Sequence, residues 1–477
     1  MSTELRNFLA IPYDELEELN LKAKKQRLDR VDPDKVKEER LKYLTDEKRI
    51  KALTVMFSDL EGRLHMLDYD KKFLLKSYDN LTFDGSSIRG FTAQRESDLR
   101  LGIDWSAFYW GPADVFGPGK ILVFGEVIDK GGEPYAADIR SMLKLFATDL
   151  HKKHSYTCNA ANEIEGFLFN GPDAERTYHE THRFEYVNTG GYYHSLPGDP
   201  LRTFIDTVAE VQRAMGFQNE KDHPEVAPSQ FEINYNYAEV VAAADHIQLY
   251  KLVCRQVARN MGLTASFLPK PIVGVNGSGM HTNVSVSQNG KNLFWDPKGE
   301  EMLSKFGYEF MDRILTHGLD LCLAFNSSVN AYRRLDPHFE APNQLKASAV
   351  DRGAMVRIPI GNERSMRIEV RAVAPDSNPY LVMYSIFKTG LEGTTAKIEN
   401  LRAGKERYLP DNIYTAIADF RKAEWTTKLL GEDVKGRYAD LKEASADRCP
   451  RLLGTVVKPA EVQFHHEVYN QFLWNQF

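Results

Sequence analysis

The sequence predicts an α/β protein of two folded domains behind a charged helical arm, with boundaries at residues 1–47, 48–132 and 133–477. Three observations carry this. The chain has 477 residues, more than one ordinary core accommodates. Hydrophobic residues make up 42% of it and aromatic residues 11%, enough to fill large cores. Beyond residue 132, strand-like and helix-like stretches alternate, as in "DHIQLYKLVCRQVARNMG" followed by "LTASFLPKPIVGV".

The arm, "YDELEELNLKAKKQRLDRVDPDKVKEERLKYL", carries only a thin apolar stripe at Leu16, Leu19 and Ala23. It reads as a solvated helix or a partner-facing segment. "IKALTVMFSDLEGRLHML" reads as a hairpin turning at Glu61-Gly62, and "GKILVFGEVI" as a further strand. "DKGGEPYAADIRSMLKLF" is a linker opening into a helix, which places the second boundary.

Composition excludes several function classes. Lys and Arg number 61 and Asp and Glu 67, a net charge of −6 that disfavours nucleic-acid binding. No apolar run reaches membrane-spanning length, and "MSTELRNFLA" lacks a signal-peptide pattern. The four cysteines, Cys158, Cys254, Cys322 and Cys449, are scattered without a CxxC, so neither a zinc site nor a disulfide framework is expected. The expectation is a cytoplasmic protein that engages no membrane. Neither GxxxxGK[ST] nor GxGxxG occurs, so a P-loop or Rossmann nucleotide site is not expected.

Four stretches share an oddity. Side chains alternate faces along a strand, so Glu163 and Glu165 share a face in "NEIEGFLF". The same holds for Glu232, Asn234 and Asn236 in "SQFEINYNY", with Glu225 seven residues upstream. It holds for His281, Asn283 and Ser285 in "MHTNVSV", and for Arg367, Glu369 and Arg371 in "RIEVRAV". One such strand is ordinarily the solvated face of a sheet. Four together put several carboxylates on one space, where they repel and take up protons unless a cation is present. Carboxylates with a neutral histidine suit Mg²⁺ or Mn²⁺, and paired divalent ions serve phosphoryl chemistry. Arg333, Arg334, Arg352 and Arg357 follow in one stretch, a supply of permanent positive charge for phosphates or carboxylates.

From about Leu41 to the C-terminus, these segments resemble glutamine synthetase of the bacterial type I family. The motifs are "FDGSSIRGF", "NEIEGFLF", "EVAPSQFEI", "KPIVGVNGSGMH", "RRLDPHFEAP", "VRIP" and "RIEVRAVAPDSNPYL". The seven-residue spacing from Glu225 to Glu232 is similar to that of the subgroup lacking an adenylylation loop, and Arg407 stands where other members carry the modified tyrosine, one residue before Tyr408.

The resemblance implies a small β-grasp-like N-terminal domain and a large α/β barrel-like catalytic domain. The implied reaction joins glutamate and ammonia to give glutamine at the expense of ATP, through γ-glutamyl phosphate. Glu165, Glu225 and Glu232 would hold one Mg²⁺ or Mn²⁺ ion, and Glu163, His281 and Glu369 the other. Arg334 would bind the glutamate α-carboxylate, with Asn276 and Gly277 on the glutamate loop. Arg352, Arg357 and Arg371 would hold phosphate oxygens, and Arg367 would lie beside the nucleotide. Asp84 of a neighbouring subunit would bind ammonium, with Ser87 beside it. Glu340 would sit on a flap over the reacting centre. The implied assembly is a dodecamer of two hexameric rings.

The chain departs from the family at Pro224, where a second histidine is usual, and at the flap, where Asp336, His338 and Phe339 replace valine, glycine and tyrosine. "DRG" at Asp351 to Gly353 replaces "NRS", and Arg89 stands where the family has something smaller or acidic. The altered flap leaves open a ligase that makes γ-glutamyl amides of organic amines. A non-catalytic structural or nitrogen-sensing relative is the other alternative. His465-His466 reads as a surface pair, and the aromatic tail "VYNQFLWNQF" as a segment buried on another subunit.

Overall fold

In the computed structural model, which describes residues 3–92, 98–181, 183–396 and 407–451, the arm does not project. It folds onto the body as α1 (Thr3–Leu9), α2 (Tyr13–Leu28) and α3 (Pro33–Asp46). The sparse stripe suffices because its inward positions are well used: Leu16, Ala23, Val36 and Leu44 are buried, while Leu21 and Leu28 stay exposed. Asn20 adds specificity. Its side-chain amide donates to the Trp110 and Ala214 carbonyls, both at 2.9 Å, and its oxygen accepts from the Trp110 N–H. Asp32 caps α3 by accepting from the N–H groups of Asp34 and Lys35, with Pro33 in the first turn. The histidine pair and aromatic tail lie outside the described residues.

The N-terminal sheet comprises β1 (Ala52–Ser58), β2 (Leu64–Asp70), β3 (Leu81–Asp84), β4 (Asp98–Trp110) and β5 (Lys120–Ile128), in the order β2-β1-β5-β4-β3. β1 and β2 form the expected hairpin, and β1 runs parallel to β5. The hairpin tip plugs into the larger domain. Gly62 adopts φ +91°, and a Cβ there would stand 2.5 Å from the Asn378 Cα, so only glycine fits. Gln248 donates to Ser58 Oγ and to the Gly62 carbonyl, and Lys442 pairs with buried Glu61 at 2.8 Å. Arg89, an odd residue by sequence, lies 3.3 Å from the same Glu61 carboxylate.

The larger sheet is built on β6 (Tyr156–Asn170). The other strands are β7 (Asn219–Pro224), β8 (Gln230–Tyr235), β9 (Ala238–Glu239), β10 (Leu263–Ser266), β11 (Met280–Gln288), β12 (Lys291–Asn292), β13 (Gln344–Ser348), β14 (Ala354–Arg357) and β15 (Ile368–Val370). Its main path is β13-β14-β15-β11-β6-β8-β7, and β9 and β10 also pair with β6. Helices Ile139–His154 and Val240–Asn260 pack on β6, and helix Pro379–Glu392 packs on both. Every second residue of β6 from Cys158 to Ile164 is therefore buried, while Glu163 and Glu165 point to the opposite face. No helix among the described residues is long and apolar enough to cross a membrane.

Candidate active site

Strand register assembles the site. Glu163 of β6 lies opposite His281 of β11, and Glu165 of β6 opposite Glu232 of β8. Glu369 of β15 lies opposite both Asn283 of β11 and Arg357 of β14. Residues scattered over two hundred positions thus form one row on one face. It is not a solvated face: Glu232 and Glu369 are 4% and 2% exposed.

Two ligand-like clusters result. Glu163, His281 and Glu369 offer atoms all within 4.8 Å of one another. His281 Nδ1 is 3.7 Å from Glu163 and 3.5 Å from Glu369. Burial works against charge on Glu163, but hydrogen bonding to His281 and Asn283 overrides it and holds the carboxyl down at about 2. His281 is pushed up despite its own burial, by the hydrogen bond to Glu163 and the charge of Glu165.

The second cluster is Glu225, Glu232 and His223. Sequence reasoning missed the histidine. Its Nδ1 lies 3.0 Å from the Pro224 carbonyl, and donation there leaves Nε2 as the lone-pair nitrogen of a neutral ring. That Nε2 is buried without a hydrogen-bond partner and faces a Glu232 oxygen at 3.6 Å. A lone pair aimed at a carboxylate is repulsive unless a cation lies between. Glu165, expected in this set, lies between the clusters: it accepts from the Gly279 N–H at 2.7 Å and reaches within 4.0 Å of His281. Burial, then Glu165 and Glu232, push Glu225 up to about 9, and burial raises Glu165. The donor set is oxygen plus imidazole nitrogen with excess negative charge, which fits Mg²⁺ or Mn²⁺.

The glycines of "GVNGSGMH" serve close packing around this centre. A Cβ on Gly277 would lie 2.5 Å from the Pro269 carbonyl, and one on Gly279 2.5 Å from the Arg334 guanidinium. Arg334 is buried, donates to the Arg371 carbonyl at 2.9 Å, and leaves Nη1 without a partner. Burial pulls its pKa down to about 10. Such a cation lacks an anion that a substrate carboxylate can supply.

Other arginines tie the row together. Arg357 and Arg371 reach Glu369 at 3.1 and 3.3 Å. Arg371 also donates to the carbonyls of Arg352 and Glu340. Arg367 donates to Asn283, which donates to Glu163. Glu340, at φ +61°, accepts from Arg352 at 2.8 Å and Asn276 at 3.2 Å, so its segment lies against the "NGSG" loop. The substituted Phe339 is covered by the Lys270 ammonium, 3.8 Å from the ring centre, and Asp336 caps the flap turn at His338. Asp84 stands apart. It is exposed at the end of β3 and accepts hydrogen bonds from Ser86 and Ser87 in its own loop, which hold its carboxyl down.

A family model described as the glutamine synthetase catalytic domain matches residues 136–463, and one described as the glutamine synthetase beta-Grasp domain matches residues 49–130. The chain belongs to the glutamine synthetase family. A glutamine synthetase of Clostridium saccharobutylicum is 35% identical over 424 residues, covering 85% of this chain and 94% of the relative. One of Staphylococcus aureus is 34% identical over 433 residues, covering 86% and 94%. The fold is that of a Plasmodium falciparum glutamine synthetase determined by cryo-electron microscopy, with a TM-score of 0.78, 20% identity, and coverage of 89% of this chain and 98% of that one. As a glutamine synthetase, the enzyme is a glutamate–ammonia ligase. It uses ATP and divalent Mg²⁺ or Mn²⁺, and its small-molecule partners are ATP, glutamate and ammonium.

Addition of Mn²⁺ to the metal-free enzyme at pH 7 is expected to release about one proton or more per chain, because Glu225 holds one up to about 9. Calorimetry in two buffers of different ionisation enthalpy reads this directly. The sign for stability follows. A carboxyl raised in the folded state favours the metal-free fold below its unfolded value of 4.5, and that contribution is lost as pH rises towards 9. The stabilisation by Mn²⁺ therefore grows with pH across this window. Binding at pH 7 without proton release would show that the carboxylates were already ionised.

Proposed function

We propose that glutamate and ATP meet on the carboxylate face, with Glu163, His281 and Glu369 holding one divalent ion and Glu165, Glu225 and Glu232 the other. His223 joins the second set. One observation carries this reading: two clusters of metal-type donors share one sheet face with the unpaired cation of Arg334. The bound ions supply charge neutralisation for phosphoryl transfer.

The chain's own residues do the rest. Arg334 orients glutamate through its α-carboxylate, with Asn276 and the Gly277 backbone beside it. The glutamate γ-carboxylate takes the terminal phosphoryl of ATP, giving γ-glutamyl phosphate and ADP. Arg352, Arg357 and Arg371 spread the charge of the transferring group, and Arg367 braces the nucleotide side through Asn283. Ammonium, bound at Asp84 and Ser87 of a neighbouring subunit, gives up a proton to the Asp84 carboxylate, and the resulting ammonia attacks the acyl carbon and sheds a second proton. Phosphate leaves and glutamine forms. Glu340 closes over the intermediate and keeps water out. The enzyme is a cytoplasmic dodecamer of two hexameric rings, and its amine acceptor is ammonia rather than an organic amine, because the "DGSS" cation site is intact.

The test is phosphate release with ATP, glutamate and Mn²⁺, comparing ammonium with methylamine and a polyamine. Release that needs all three substrates and is fastest with ammonium is expected. Faster release with an organic amine would make the enzyme a γ-glutamyl-amine ligase.

A further inference from the structure

A cavity of about 590 Å³ lies beneath α2, between the arm, β4 and helix Val240–Asn260. It is separate from the carboxylate face. Thr157 lines it, six residues before Glu163, which is on the order of 20 Å along β6. Its size is that of small-molecule sites.

The lining has an unusual charge pattern. Lys24, Arg27 and Arg30 of the arm all face it, and each donates its hydrogen bond there to a neutral group: the Gln218 side chain, the Ser106 carbonyl and the Thr157 hydroxyl. The carboxylates in the same lining are engaged elsewhere. Asp104 and Asp245 are bound to buried Arg140, and Glu126 to Lys144. Glu239, the exception, accepts from the N–H of Val241 and also feels the Arg30 charge. Burial and the neighbouring Arg27 lower the Lys24 pKa, as they do where cations gather without an anion.

The floor adds two polar atoms without partners. Tyr109 Oη and His246 Nδ1 make no hydrogen bond, and their residues are 2% and 5% exposed. Buried polar atoms left open are rare in native folds and mark a missing partner. The remaining wall is apolar, with Val36, Ala107 and Val241 buried and Trp105 alongside, and the Arg27 guanidinium lies over the Tyr109 ring at 5.1 Å.

We propose that this cavity is a second ligand site, which takes a small organic anion with an apolar or aromatic body. The anion pairs with Arg27 and Arg30, and the body lies against Trp105 and Val241 with a polar edge at Tyr109 and His246. The arm thereby gains a role of its own, with α2 as the cationic roof of the site.

The experiment titrates the assembled enzyme, saturated with ATP and Mn²⁺, with 1-anilinonaphthalene-8-sulfonate and follows its fluorescence. N-phenyl-1-naphthylamine, the same aromatic body without the sulfonate, is the uncharged control. One saturable site per chain is expected, with the uncharged probe bound at least about tenfold more weakly. Arg27→Gln with Arg30→Gln is expected to weaken the anionic probe by a similar factor, while Lys25→Gln on the outer side of α2 leaves it unchanged. If the double variant loses its thermal transition, the single Arg30→Gln, at an exposed position, is read instead and is expected to weaken binding several-fold. Probe binding only when ATP is left out, equal binding of the uncharged probe, or indifference to the arginine changes would each overturn the proposal.

Discussion

Glu369→Ala is expected to lower turnover by on the order of a thousandfold or more, since it removes a metal-type donor that also anchors two arginines of the proposed phosphoryl site. Glu369 is 2% exposed, lies 3.5 Å from His281, and pairs with Arg357 and Arg371. Its loss leaves those cations facing one another with no anion between. The fold should nevertheless survive. Arg357 is half exposed and can turn to solvent, and Arg371 keeps its bonds to the Arg352 and Glu340 carbonyls. Glu369→Gln, which keeps the shape and one acceptor, separates charge from packing. Both variants should remain assembled and inactive, with Mn²⁺ binding weakened by at least about tenfold in calorimetry. Near-normal turnover in Glu369→Gln would show that its charge is not needed. Loss of assembly in both would give the residue a structural role.

What was legible in the sequence followed from local periodicity. Alternation along a strand placed Glu163 with Glu165, and Arg367 with Glu369 and Arg371, on common faces. It could not say which strands pair. The meeting of Glu163 with His281 depends on β6 and β11 lying side by side, and that of Arg357 with Glu369 on β14 and β15. Long-range register is a property of the whole sheet. His223 was missed because strand alternation was read only from Glu232 onward, and its own stretch holds a proline. In fact β7 is paired on only one side, to β8, where a proline that donates no ladder bond is tolerated. The arm is helical as expected, but how it packs was hidden for a different reason. Its apolar stripe is thin, so a solvated helix or a partner-facing segment was the natural reading, yet Leu16, Ala23 and the hydrogen bonds of Asn20 hold it against its own chain. Arg89 departs from the family pattern but is explained by Glu61, a partner from the hairpin tip that no local reading connects with it.

Asp84 raises the largest remaining expectation. Its carboxylate is exposed at the edge of the N-terminal sheet, and among the described residues its hydrogen bonds come from its own loop. The metal-type clusters lie on the other domain's sheet. If the proposed rings place Asp84 of one subunit against the carboxylate face of the next, the contact is head-to-tail and closes by rotation. Two dead variants should then rescue each other. Asp84→Ala retains a complete carboxylate face, and Glu369→Ala retains a complete ammonium loop. In rings assembled from equal amounts of both, a site is whole only when an Asp84-bearing chain precedes a Glu369-bearing one, a half times a half. Co-expressed chains are therefore expected to regain about a quarter of wild-type activity, while each variant alone stays inactive. Co-expression is needed because finished rings need not exchange subunits. Different tags on the two chains, recovered together, establish that mixed rings were measured. Mixed rings that remain inactive would place Asp84 in the service of its own subunit. A rescue near a quarter would locate the ammonium site between subunits, where the acceptor reaches the acyl phosphate only once the ring has formed.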